Sequence, residues 1–202
     1  MAANLVSNQR YIYILLSRTH TVPARLIRFF TGEPYSHSSI ALDAELNNMY
    51  SFARKHIYNP FNCGFIDEDI ETGIFGRDKN IQCSVYRVPV TEEQYQALRK
   101  ELNTFIRNRN KYKYNYTGLV GVMFGKSRDD GIHFFCSQFI SYVFSRSGIH
   151  ITSKENGLTR PYDFHVRLKN NQIYTGKLSE YRRFIHATNA NCEEYDKVAE
   201  AI

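Results

Sequence analysis

Residues 131–148, GIHFFCSQFISYVFSRSG, contain the segment around which we expect the fold to be built. Apolar residues recur after Cys136 at helical spacing, and they define one face of an amphipathic helix: Phe139, Ile140, Val143 and Phe144. Gly148 follows, and glycine is typical of a helix end because it readily adopts a positive φ angle. The pattern predicts a buried helix that begins at Cys136.

The length and composition indicate one globular domain. The chain has 202 residues, of which 43% are apolar and 23% charged, so we predict a single domain over residues 1–202 with a sizeable core. The net charge is +6, with the densest basic run at RNRNKYKYNY (107–116). That run follows a helical pattern and the other basic residues are spread along the chain, so we interpret it as a solvated helix end and expect no nucleic-acid partner.

The amino terminus and the cysteines bear on the compartment. MAANLVSNQR lacks a basic segment followed by an apolar one, and no apolar run approaches the roughly 20 residues of a membrane span. We therefore expect a cytoplasmic protein with no membrane span, whose four cysteines, at positions 63, 83, 136 and 192, are reduced. His133 and Cys136 form an H-x-x-C pair without a second ligand pair, so we expect no metal and no cofactor.

The apolar patterns predict an α+β fold, in which helices flank a mostly antiparallel sheet. Strands are predicted from alternation or from short apolar runs at 11–17, 36–43, 49–54 and 81–90, the middle two forming a hairpin. Thr91 and Gln94 form a capping box before an amphipathic helix. A further helix is predicted from Pro23 to Gly32.

Three segments are predicted to lie outside this framework. Residues 55–80 are rich in Gly, Asn and Asp, which favours a long loop excursion, with a binding site beneath it as one interpretation. RPYDF (160–164) is interpreted as a loop. Residues 177–202 are predicted to form a C-terminal helical tail.

Cys136 is a candidate nucleophile. A helix N-terminus and a neighbouring imidazole both favour the reactive thiolate. His37 is our candidate base, because a regular strand would hold it rigidly beside small neighbours. The return strand suggests Ser51 as the third, orienting residue, with Tyr50 and Arg54 as alternatives. Against this stands the ordinary interpretation, since an isolated cysteine before an apolar helix is more often structural.

At this point the chain resembles a known superfamily. YSHSSIALD (35–43), MYSFAR (49–54) and HFFCSQFISYVF (133–144) resemble the circularly permuted NlpC-type, papain-like cysteine peptidases and amidases, as in YiiX-like proteins and, more distantly, the lecithin–retinol acyltransferase group. The resemblance covers roughly residues 11–165 and implies a permuted papain-like fold, with Cys136 as nucleophile, His37 as base and Ser51 as third residue. His, Asn, Gln or Glu is more usual at the third position, so Ser51 departs from the family pattern.

Further candidates surround this constellation. Tyr35 is a possible oxyanion donor, His133 a possible lining residue of the cleft, and Arg160 a possible cleft residue that pairs with Asp163 or only braces a loop. NCEEY (191–195) superficially resembles the nucleophile motif of the acyltransferase group. We favour Cys136 over Cys192, because the helix after Cys136 has far more apolar surface.

The expected function is a thiol hydrolase, an amidase or peptidase that forms an acyl-enzyme from an amide, ester or thioester. A lipid or amine acceptor in place of water would make it an acyltransferase. A catalytically inactive binding module using the same cleft is the other alternative, favoured slightly by the weak third residue. The expected substrate is a peptide, an acyl conjugate or a lipid, and the oligomeric state stays open.

Overall fold

The computed structural model describes residues 9–19, 32–56 and 59–200, without the side chains of residues 60, 61 and 191–200. The chain is α+β, as predicted: a six-stranded antiparallel sheet, in the order β4-β3-β2-β1-β5-β8, carries helices on its faces. The helix predicted from Pro23 falls mostly outside the described residues.

The strands and helices follow one another in mixed order along the described residues. The strands are β1 Arg10–Arg18, β2 His37–Ala41, β3 Met49–His56, β4 Asn59–Glu68, β5 Gln82–Val90, β6 Lys113–Tyr114, β7 His133–Phe134 and β8 Gln172–Lys177. The α-helices are α1 Gly73–Arg77, α2 Glu92–Arg107, α3 Tyr116–Met123, α4 Cys136–Arg146, α5 Pro161–Arg167 and α6 Tyr181–Glu200. Strands β6 and β7 form a separate parallel pair.

Two hydrophobic cores cover the two faces of the large sheet. Alternate residues of β1 point to opposite faces, so Ile14 belongs to one core and Leu15 to the other. The first core lies between the sheet and helices α2 and α4, and its centre is a cluster of aromatic rings: Phe52, Phe65, Phe105, Phe134 and Phe139. The second core joins the sheet to α1 and α6.

The helices begin and end where local chemistry predicts. At the start of α2, Thr91 accepts a hydrogen bond from the Gln94 backbone N–H at 3.2 Å, and Gln94 accepts one from the Thr91 N–H at 3.0 Å. This confirms the capping box. Helix α4 begins at Cys136, and its chain continues into Gly148, which has a φ angle of 68°. The predicted boundaries of the central helix are therefore confirmed.

The predicted loop excursion over residues 55–80 is wrong. Strand β3 continues to His56, and most of the remainder forms β4 and α1. The Pro, Asn and Gly residues that suggested a loop are compatible with a strand here, because β4 is an edge strand and needs ladder hydrogen bonds on one side only. Phe65 of β4 is buried in the first core, which fixes this strand in the sheet.

The structure also corrects the predictions for RPYDF (160–164) and for the start of the C-terminal helix. RPYDF was predicted to be a loop, but Pro161 is the first residue of α5 and Asp163 accepts a hydrogen bond from the Arg160 backbone N–H at 2.8 Å. Proline suits the first turn of a helix, because the N–H that it lacks has no partner inside the helix. The C-terminal tail is helical from Tyr181 onward, after the last strand and a short 3-10 turn.

Candidate active site

His37 is the first residue of β2 and is held from several sides. Its strand lies between β1 and β3, where His37 pairs with Ser17 of β1. The His37 side chain is 11% exposed, and its ring lies 6.2 Å, centroid to centroid, from that of Phe75. A histidine so enclosed has one orientation, as a proton-transfer residue requires.

Glu68 is the closest hydrogen-bond partner of the imidazole. His37 Nε2 donates to Glu68 Oε1 at 2.9 Å, and the Glu68 side chain is only 9% exposed. Ser39 donates a hydrogen bond to the second carboxylate oxygen. Since Nε2 carries these partners, Nδ1 is the ring nitrogen left for a second interaction. A buried carboxylate fixed in this way orients the ring and stabilises its protonated form.

Cys136 interacts with the same imidazole. Its thiol is a hydrogen-bond partner of the His37 side chain, and it is buried at the first residue of α4. The first hydrogen bond within this helix runs from the Phe139 N–H to the Phe135 carbonyl, so the N–H groups of residues 136–138 have no partner within the helix. These groups and the helix dipole favour negative charge at the sulfur.

The pair is electrostatically coupled. Burial by itself raises the pKa of the Cys136 thiol, but the hydrogen bond and charge of His37 outweigh it, so the pKa lies below its usual value. Burial likewise opposes protonation of His37, yet the Glu68 carboxylate and Cys136 together raise the pKa of the imidazole to about 10. Both shifts favour a thiolate paired with an imidazolium around neutral pH.

The predicted third residue, Ser51, lies at the site but is a weaker partner than Glu68. Its Oγ is 3.3 Å from His37 Nε2, and its hydroxyl donates to the Ser38 carbonyl at 3.0 Å. Of the alternatives, the Tyr50 ring stacks on Phe65 at 6.0 Å, and Arg54 pairs with Cys63 in the β3–β4 ladder. The structure thus brings Cys136, His37 and Ser51 together and adds a carboxylate.

The three peripheral candidates have other contacts. Tyr35 Oη hydrogen-bonds Ser84 of β5 at 2.8 Å, and His133 Nδ1 lies 2.9 Å from Asp130. Arg160 forms an ion pair with Glu33 at 2.9 Å. These contacts do not join Tyr35, His133 or Arg160 to Cys136 among the described residues. Cys192 lies in the part of α6 whose side chains are not described.

Sequence reasoning missed three residues beside Cys136. Glu68 lies in the segment that was predicted to be a loop. Cys63, Phe65 and Asp67 occupy every second position there, so GFIDE (64–68) could have indicated the end of a strand. Ser38 contributes backbone and side-chain hydrogen bonds that lower the pKa of Cys136. Tyr114 interacts electrostatically with Cys136, and burial of its hydroxyl raises its pKa well above 10, so it is a neutral donor.

No protein-family model matches this chain, and no curated protein matches it. The interpretation of the site therefore depends on its own geometry and chemistry. Within residues 9–19, 32–56 and 59–200, none of the helices is both long enough and apolar enough to cross a membrane.

Proposed function

We propose that this protein is a cysteine-dependent hydrolase, an amidase or peptidase, which cleaves an amide, ester or thioester through an acyl-enzyme. One observation carries the proposal: a buried His37 interacts both with Cys136 and with Glu68, the latter at 2.9 Å. A structural cysteine would need neither a helix N-terminus nor a carboxylate-oriented imidazole. The arrangement has the three roles of a nucleophile, a proton carrier and an orienting group.

In the first half-reaction, the Cys136 thiolate attacks the carbonyl carbon of the substrate. The negative charge that develops on the carbonyl oxygen is stabilised by the Cys136 backbone N–H at the start of α4 and by a second donor. Tyr114 is our candidate for that donor, because its phenol stays protonated beside the sulfur. Each such donor contributes about 3 kcal/mol in enzymes where one has been removed.

Collapse of the tetrahedral intermediate breaks the bond to the leaving group. The His37 imidazolium gives its proton to the departing amine, alcohol or thiol, which leaves Cys136 acylated and His37 neutral. Water then attacks the acyl-enzyme while His37 accepts its proton, and the products are a carboxylic acid and the regenerated thiolate–imidazolium pair. Throughout this cycle Glu68 holds Nε2, which leaves Nδ1 to exchange the proton with the leaving group and with water.

The order of these residues supports a place in the permuted papain-like superfamily. His37 and Ser51 precede Cys136 in the chain, as a strand histidine and a partner on the next strand do in the YiiX-like proteins that the sequence resembles, whereas Glu68 lies one strand further on. Glu68 supplies the orienting group that Ser51 provides only weakly, from a different strand than the family pattern implies. A peptide, an acyl conjugate or a lipid is the proposed substrate, and replacement of water by an amine or lipid acceptor would give an acyltransferase.

The proposal predicts covalent acylation of one cysteine. The protein is incubated with a panel of small activated esters and thioesters, and the intact mass and the peptide map are followed with time. We expect transient acylation at Cys136, turnover to free acid, and loss of both in Cys136→Ser. Cys63→Ser is the matched control and should behave as wild type, since Cys63 lies outside the pair.

Several outcomes would separate the alternatives. An acyl group that accumulates on Cys136 and is released only when an amine or a lipid alcohol is added would identify an acyltransferase. Acylation that is no faster at Cys136 than at Cys63, without turnover, would contradict the hydrolase and leave a binding module. For a hydrolase, kcat/KM should fall at low pH as Cys136 is protonated, and fall again near the raised pKa of His37, about 10, as the leaving-group acid is lost.

A further inference from the structure

Helix α3 presents an unusual concentration of exposed apolar side chains. Seven large hydrophobic residues are exposed among those whose side chains the structure describes, and five of them lie between residues 116 and 132: Tyr116, Val120, Met123, Phe124 and Ile132. Phe124 is 72% exposed. Isolated exposed apolar residues need no explanation, but a cluster of this kind is typical of an interaction surface.

The cluster belongs to a well-anchored element. Asn115 caps α3 by accepting a hydrogen bond from the Gly118 N–H at 2.8 Å, and its amide donates to Gln138 Oε1 at 2.9 Å. The chain after α3 turns back on the helix, where the Lys126 N–H donates to the Gly121 carbonyl at 2.9 Å. Both ends of α3 are therefore tied down, and its apolar face is held open to solvent.

Positive charge borders this apolar face. Residues 107–132, which contain the whole cluster, have six basic and two acidic residues, whereas the chain as a whole has 26 basic and 20 acidic residues. Arg109 is paired with Asp67, and Arg128 with Asp130. Lys113 and Lys126 are exposed, and no acidic partner lies within ion-pair distance of either in the described part of the chain.

The two lysines lie at the edges of the cluster. Lys113 lies two residues before Asn115, the cap of α3, and its backbone N–H donates to the carbonyl of the exposed Ile132 at 2.9 Å. Lys126 follows α3 and returns to its last turn. We name as the α3 surface the five exposed apolar residues and the two lysines: Tyr116, Val120, Met123, Phe124, Ile132, Lys113 and Lys126. This surface combines a central apolar area with cations at two edges.

We propose that the α3 surface docks this protein onto an anionic membrane surface. Apolar side chains enter the boundary between headgroups and acyl chains, while flanking lysines remain level with the anionic headgroups. The flanking cations complement anionic headgroups, and the exposed apolar side chains between them, with Phe124 72% exposed, suit the boundary with the acyl chains. Tyr114 connects β6 to the site of Cys136, so docking would bring that site close to the bilayer. The proposal does not depend on Cys136 being catalytic.

Vesicle co-sedimentation of the full chain tests the proposal. We expect binding to vesicles of 30% phosphatidylglycerol in phosphatidylcholine, and an affinity about tenfold or more lower at 0.5 M than at 0.05 M salt. Val120→Asp and Phe124→Asp should each lower the affinity about tenfold. Val166→Asp is the matched control, because Val166 on α5 and Val120 are both 56% exposed; it should bind as wild type.

A second pair of variants tests the charges. Lys113→Gln with Lys126→Gln should lower the affinity about tenfold or more, whereas Lys100→Gln with Lys169→Gln, at exposed lysines elsewhere, should not. The proposal is overturned if wild type does not bind the anionic vesicles at low salt, or if Val120→Asp and Val166→Asp bind equally. Binding to single-stranded RNA without binding to vesicles would also overturn it and assign the charges to nucleic acid. Circular dichroism melts of every variant confirm that each is folded.

Discussion

Replacement of His37 by alanine is expected to slow the alkylation of Cys136 at acidic pH. An ordinary thiol with a pKa of about 8.5 is about 24% thiolate at pH 8 and about 0.3% at pH 6, so its alkylation slows about 80-fold over that interval. Cys136 should slow clearly less, because the hydrogen bond and charge of His37 hold the pKa of its thiol below the usual value.

In His37→Ala only the burial that raises the pKa of Cys136 remains, together with the weaker contribution of Ser38. An opposite charge at this range shifts a pKa by about one to three units, so alkylation of the variant at pH 6 should be at least about tenfold slower than that of wild type. The assay is iodoacetamide labelling between pH 5 and 9, followed by peptide mapping at Cys136.

Two controls accompany this measurement. Cys63 and Cys83 serve as unactivated thiols in the same digest, since burial raises the pKa of each. His133→Ala is the matched variant, because His133 pairs with Asp130 instead of the thiol. If wild type and His37→Ala have the same pH profile, or if His133→Ala loses as much reactivity, then Cys136 and His37 do not form an ion pair and the proposed chemistry fails.

Three other substitutions test the remaining contacts. Glu68→Gln should slow Cys136 labelling at pH 6 about tenfold, because it removes the carboxylate that keeps His37 protonated. Ser51→Ala removes a hydroxyl 3.3 Å from the ring and should change the labelling rate less than about threefold. If Ser51→Ala had the larger effect, Ser51 would be the orienting residue. Ser38→Ala should raise the pKa of Cys136, measured by thiolate absorbance against pH, since Ser38 lowers that pKa in wild type. Phe105→Ala should lower the free energy of unfolding by about 3–5 kcal/mol in urea, since its ring contacts five other rings of the first core. A loss below about 1 kcal/mol would show that this core is poorly packed.

Local patterns were sufficient for elements whose signals lie within one stretch of chain. The capping box at Thr91 and Gln94 and the helix that begins at Cys136 both depend on neighbours within a few residues, and the structure confirms them. Strand β4 was missed because its Pro, Asn and Gly residues indicate a turn when read locally. Its pairing with β3 and the burial of Phe65 outweigh that preference, and neither is visible from the segment alone.

The sequence alone pointed to Cys136 and His37 as candidates, because a strand histidine and a cysteine at a helix N-terminus each have a local signature. Alternation along β3 also pointed to Ser51, whose hydroxyl lies 3.3 Å from the His37 ring. The carboxylate of Glu68 reaches His37 only after β4 joins the sheet, two strands away from β2, so no spacing along the chain could reveal it. The tertiary structure therefore decided which group orients the imidazole, because that choice depends on distances between strands and on burial, which a linear pattern does not contain.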